Sequence, residues 1–78
     1  MALTAYVLIQ TEVGKSVKVA EAARAIDGVV SAHSVTGPYD VIVHTSAATL
    51  DDLGKLVVSQ IQAVDGITRT FTCPVVNL

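Results

Sequence analysis

The chain has no tryptophan, two tyrosines, one phenylalanine and one cysteine, Cys73, in 78 residues. Each shortage excludes something. A lone thiol forms no internal disulfide, and no Cys/His group has zinc-ligand spacing, so a small fold here has neither kind of cross-link. Charged residues make up 15% of the chain, against roughly 25% in an average soluble domain. The five Lys and Arg are scattered and the net charge is −2, so there is no basic patch of the kind that neutralises phosphates. Direct nucleic-acid binding is not expected. The start, Met1-Ala2-Leu3-Thr4, has no basic stretch, and no apolar run reaches the length of a membrane span. Neither signal peptide nor membrane segment is expected, which suggests a cytoplasmic protein with Cys73 a reduced, packed small hydrophobe. Ser/His/Asp spacing, a phosphate-cradling glycine loop and a nucleotide fingerprint are also missing. No catalytic residue, cofactor or metal site is assigned, and an enzyme is not the expectation.

What is present is aliphatic. Hydrophobic residues account for 51% of the sequence, mostly Val, Ala, Ile and Leu. The length suits one domain over residues 1–78. A domain this small buries a modest share of its surface and is marginal alone. Without disulfide or metal, oligomerisation is the remaining remedy. Some of the apolar surface is expected on a face that a second copy covers.

Leu3 to Thr11 reads as a strand, and its unbroken run Ala5-Tyr6-Val7-Leu8-Ile9 suits one covered on both faces. Lys15 to Ile26 reads as a helix with Val19, Ala23 and Ile26 on one side, closed by Asp27-Gly28. Val29 to Thr36 and Val41 to Ser46 form a hairpin about Gly37-Pro38-Tyr39-Asp40. Thr49 is a good N-cap for a second helix to Val64, with Asp52 three residues on and Leu50, Leu53, Val57, Ile61 and Val64 as its apolar stripe. Gly54 within that helix suggests either close packing against a neighbour or a surface glycine under no packing demand. Ile67 to Val76 is the last strand, and Pro74 within it suggests an edge position or an early end to pairing.

The order is βαββαβ, with an internal echo: Ala25-Ile26-Asp27-Gly28-Val29 recurs as Ala63-Val64-Asp65-Gly66-Ile67. Two such halves make an α+β, ferredoxin-like fold, a four-stranded antiparallel sheet with both helices on one face. The strands carry apolar residues of both parities, so two sheets are expected to pack face to face in a dimer.

With those residues in view, the chain resembles the effector-binding (RAM) domain of the Lrp/AsnC transcription regulators. The carriers are the element order, the Asp27-Gly28-Val29 step, the Gly37-Pro38-Tyr39-Asp40 hairpin, similar to the family's Gly-x-aromatic-Asp signature, and Asp65-Gly66-Ile67-Thr68-Arg69-Thr70. The resemblance covers essentially the whole chain. The family's usual helix-turn-helix segment has no counterpart here, which suggests a stand-alone form. The resemblance implies a sheet-to-sheet dimer, dimers arranged in octamer or decamer rings, an amino-acid effector bound between dimers, and full-length Lrp/AsnC regulators as partners in mixed assemblies.

Elementary chemistry agrees with an amino-acid ligand. A zwitterion needs a carboxylate for its ammonium and N–H or hydroxyl donors for its carboxylate. Asp40 supplies the first, Gly37 permits close backbone approach, and Tyr39 adds a ring and a hydroxyl. Thr68, Thr70 and Thr72 alternate along the last strand, so their hydroxyls are expected on one face. A neighbouring subunit would roof the site. Two other readings stay open. One is a small cofactor-free dimeric α+β enzyme using His33, His44, Tyr39 and Asp40 as acids and bases. The other is a purely structural assembly partner. If Thr36 pairs with Val41, His33 faces His44 across the hairpin, and joint protonation would loosen assembly below about pH 6.

Overall fold

The computed structural model describes residues 2–77. The elements run β1 (Leu3–Thr11), α1 (Ser16–Arg24), β2 (Val29–Ser34), β3 (Val41–Ala47), α2 (Leu50–Lys55), a π-helical continuation (Leu56–Ile61) and β4 (Ile67–Pro74). The strands form one sheet in the order β2-β3-β1-β4, with every neighbouring pair antiparallel. This is the expected ferredoxin-like βαββαβ arrangement.

The sheet has one closed face. Ala5, Val7 and Ile9 of β1, Val41 and Val43 of β3 and Ala32 of β2 are buried in one cluster with Val19, Ala20 and Ala23 of α1 and with Leu53, Leu56, Val57 and Ile61. Alanines on α1 let its backbone approach the strands closely. Thr45 is the one fully buried polar side chain among the described residues, and its hydroxyl donates to the Ala5 carbonyl at 3.0 Å. That bond removes the penalty of hiding a hydroxyl.

The sequence echo is also a structural one. Gly28 and Gly66 both follow a helix with positive φ, 96° and 97°. The Gly28 carbonyl accepts from Ser46 N–H at the end of β3, and the Gly66 carbonyl accepts from Glu12 N–H just past β1, both at 2.8 Å. A Cβ on Gly28 would lie 2.9 Å from Leu56 Cδ2, and one on Gly66 3.1 Å from Lys15 Cβ. Each half therefore docks its helix exit against the other half's helix.

Several expectations need correction. Helix two is not one α-helix to Val64. After Lys55 it widens, and Gln62 N–H donates to the Val57 carbonyl at 2.9 Å, a five-residue step. The wider turn brings Leu56, Val57 and Ile61 all into the core. Leu50, expected in the buried stripe, is 67% exposed. Gly54 has no atom within 4 Å of where a Cβ would stand, so no neighbour presses on it. Helix one is shorter than Lys15 to Ile26, β2 stops at Ser34 and β4 at Pro74.

The hairpin register differs too. Ser34, not Thr36, pairs with Val41, because Val35 N–H bonds the Asp40 carbonyl and lengthens the connection. His33 therefore faces Ile42, and His44 faces Ser31. The shift is two residues, so both histidines remain on the face away from the helices but are not opposed. Cys73 is exposed rather than packed, on that same face opposite Tyr6. Pro74 does lie on an edge strand, as expected.

Candidate functional site

The β2–β3 connection is tied to the end of β1 by Asp40. Its N–H donates to the Ile9 carbonyl at 2.9 Å, and its Oδ2 accepts from Thr11 N–H at 2.8 Å. Gln10 Nε2 donates to the Pro38 carbonyl at 3.3 Å. Gly37 has φ 122° with open space around it, so the backbone conformation, not crowding, demands glycine. The hairpin leans across β1 towards β4. The Tyr39 ring meets Phe71 edge-on at 5.8 Å, and the Arg69 guanidinium sits 4.9 Å above the Phe71 ring. A carboxylate, a phenol and a guanidinium thus gather at one end of the sheet.

The threonines of β4 lie elsewhere. Thr70 and Thr72 pair with Ile9 and Val7, which puts them on the helix side, whereas Phe71 pairs with Leu8 on the open side. Thr72 and Pro74 line a groove of about 420 Å³ together with Leu50, Leu53, Gly54, Val57, Val58 and Gln62. Gln62 Nε2 donates to the Thr70 hydroxyl at 2.9 Å beside it. The bond from Val75 N–H to the Thr4 carbonyl points the odd-numbered backbone groups of β4 inward. By the antiparallel alternation, the N–H and C=O groups of Thr70 and Thr72 then point out along the free edge. The groove is an apolar slot with unpaired backbone donors and acceptors along one wall.

Of the six residues expected to bind ligand, Gly37, Tyr39 and Asp40 come together at the hairpin. Thr70 and Thr72 come together at the groove, across the sheet from Tyr39's contact with Phe71. Thr68 joins neither group. It falls at the irregularity opposite Gln10 and Thr11, and its hydroxyl donates to the Gln10 carbonyl at 3.1 Å. The alternation that would align it with Thr70 is broken there. The sequence reading missed Gln62, Leu50 and Val58 at the groove and Arg69 and Phe71 at the hairpin. An apolar stripe marks Leu50 only as core, and nothing local reveals that β4 leaves it uncovered. A larger hollow of about 700 Å³ lies between the exit of α1 and the α2 helix with its π-helical continuation, lined by Asp27, Asp52, Lys55 and Gln60 among others. None of the expected site residues reaches it, so the groove is the better candidate despite its smaller volume.

The family model described as the Lrp/AsnC ligand binding domain matches residues 4–77. The chain belongs to the Lrp/AsnC ligand-binding domain family. An HTH-type transcriptional regulator of Pyrococcus furiosus is 32% identical over 72 residues, 88% of this chain and 48% of that protein. The chain thus spans about half the length of the curated relatives it matches. Crystal structures of a Thermus thermophilus protein (29% identical, TM-score 0.90) and a hypothetical Pyrococcus horikoshii protein (33% identical, TM-score 0.88) are covered over 95% and 93% of their chains, with 97% and 100% of this one. Escherichia coli AsnC has the same fold at TM-score 0.89 and 21% identity, over 97% of this chain and 52% of that one. The relatives are transcriptional regulators, and no helix among the described residues is long and apolar enough to cross a membrane.

Proposed function

We propose that this Lrp/AsnC domain binds a free amino acid and assembles as a homo-oligomer, without catalysing a reaction. The observation that carries the reading is the family match over residues 4–77 on a fold with two complementary half-sites. The hairpin end offers Asp40, Tyr39 and Gly37 for an ammonium group. The β4 edge offers outward N–H groups and threonine hydroxyls for a carboxylate, with the apolar groove beside them for an aliphatic side chain. Thr68 would act by holding β4 rather than by touching the ligand.

The half-sites lie on different sides of one sheet, so the hairpin of one copy would complete the groove of another. That supports assembly beyond a dimer, in a ring of dimers. The dimer itself would form through the open sheet face, where Tyr6, Leu8, Ile42, His44, Phe71 and Cys73 stand without cover from this chain. A Neisseria meningitidis regulator of similar fold (TM-score 0.82, 16% identical) was crystallised as its complex with L-Met, which makes methionine a natural first probe. Mixed assemblies with full-length regulators of the family follow from the same surfaces. A cytoplasmic setting fits the relatives' regulatory role. The enzyme reading finds no support in the geometry: His33 and His44 line neither hollow.

Native mass spectrometry with and without the twenty amino acids tests this directly. An even-numbered oligomer that gains ligand mass is the expected result. An oligomer that gains nothing would move the reading to a structural assembly partner. Complementation tests the shared site: Asp40→Ala and Thr72→Arg should each lose binding alone, and a mixture of the two should regain some. Binding that stays lost in the mixture while both variants assemble would mean that one copy supplies the whole site.

A further inference from the structure

We infer that Gly54 sets which amino acid the groove accepts, by leaving a gap in α2 that admits a long, uncharged aliphatic side chain; this rests on the amino-acid-binding reading above. Gly54 lies inside the helix Leu50–Lys55, where glycine is disfavoured against alanine because it gives up more backbone freedom. The usual reasons for a glycine do not apply to it. Positive φ belongs to Gly14, Gly28, Gly37 and Gly66, not to Gly54. No atom lies within 4 Å of where its Cβ would stand, so no close approach demands it. What the missing side chain leaves is room in the groove that Gly54 lines.

The residues around that gap fix what can fill it. Leu53 and Val57 are buried and give the groove an apolar floor. Leu50 and Val58, four residues to either side of Gly54, line it while 67% and 64% exposed, so an apolar occupant would cover them. Gln62 stands towards the Thr70 end, with its amide nitrogen donating to that hydroxyl at 2.9 Å. No lining residue carries a charge. A charged side chain that entered would give up water without gaining a partner, which is strongly unfavourable. A short one would leave the floor and both exposed side chains wet. In the proposed site the outward backbone donors of Thr70 and Thr72 take the ligand's carboxylate, and its side chain then runs over the floor towards Gly54. The ligand class is an α-amino acid such as leucine or methionine, in preference to alanine or lysine.

The test is calorimetric titration of the whole chain with leucine, methionine, alanine and lysine, beside thermal melts without ligand. Wild type should bind leucine and methionine about tenfold or more tighter than alanine or lysine, because one methylene in an apolar pocket already makes that difference. Gly54→Leu fills the gap. It should weaken leucine and methionine by about tenfold or more and change alanine by no more than about threefold. Its melting temperature should equal or exceed that of wild type, since leucine is the better helix former, so the loss is not one of folding. Should Gly54→Leu fail to fold, Gly54→Ala takes its place, with a smaller loss in the same direction. A wild type that binds no amino acid would overturn the binding reading and this inference together. Amino acids bound without preference for leucine and methionine would leave the binding reading standing and remove the groove as the side-chain pocket. A leucine-to-alanine ratio unchanged by either substitution would leave Gly54 a surface glycine with no part in selection.

Discussion

Asp40 closes the hairpin with the same carboxylate that the proposed function assigns to the ligand's ammonium, and the two roles are separable. Oδ2 closes the hairpin onto Thr11 N–H at 2.8 Å in a half-buried setting. Loss of that acceptor leaves a backbone donor without its partner, which costs about 1–3 kcal/mol. Asp40→Ala should lower unfolding stability by that amount in urea denaturation, whereas Asp40→Asn, which keeps an oxygen there, should lose less. Ligand binding should fall in both, because the amide lacks the charge that an ammonium requires. Glycine is decisive at Gly28 for two reasons at once. Its φ of 96° is a region that side chains disfavour by about 1–2 kcal/mol, and a Cβ there meets Leu56 Cδ2 at 2.9 Å. Gly28→Ala should therefore destabilise visibly in thermal melts, while Gly54→Ala, with open space around it, should be neutral or stabilising by up to about 1 kcal/mol.

At the scale of elements, the π-helical stretch from Leu56 to Ile61 is the least expected feature. It aligns Leu56, Val57 and Ile61 on the core, and it leaves Val58 64% exposed at the groove beside Leu50. Ile61 is fully buried, so Ile61→Ala should cost about 2–5 kcal/mol by denaturant midpoint. Val58→Ala should change stability by less than about 0.5 kcal/mol and yet weaken amino-acid binding through the groove, a split that calorimetry and thermal melts can read together. The two edge strands are managed differently. On β2, Arg24 Nε donates to the Ala32 carbonyl at 2.9 Å, which blocks the edge with a side chain from α1. On β4, Thr70 and Thr72 leave their backbone groups available and only Pro74 interrupts the row.

For the whole molecule, the governing fact is that one sheet face has no cover. Tyr6 is 44% exposed and Phe71 37%, with Leu8 and Ile42 partly exposed between the central strands. Leu8→Asp or Ile42→Asp would place a carboxylate in the face that the proposed dimer covers. Each should give a folded monomer by light scattering while far-UV circular dichroism stays native. An unchanged oligomer would mean that assembly uses the helices or the edges instead. Because the half-sites are shared between copies in the proposed assembly, these variants should also reduce ligand binding without touching a ligand.

Local chemistry was enough for the element order, the halves' echo and the glycine boundaries. Each depends on neighbours in sequence: a 3.6-residue stripe, a period-two run, a helix exit that requires positive φ at Gly28 and Gly66. Thr49 as N-cap, accepting from Asp52 N–H at 3.1 Å, was legible for the same reason. The hairpin residues Gly37, Tyr39 and Asp40 also declared themselves, since a turn concentrates them. What sequence patterns could not supply were facts about partners far along the chain. The two-residue slip that parts His33 from His44 comes from the bond between Val35 and Asp40, and the displacement of Thr68 comes from a break in the β1–β4 ladder. The groove exists because β4 lies at an edge beside a helix that widens after Lys55. Such features arise where elements meet, and three-dimensional packing, not local propensity, sets them.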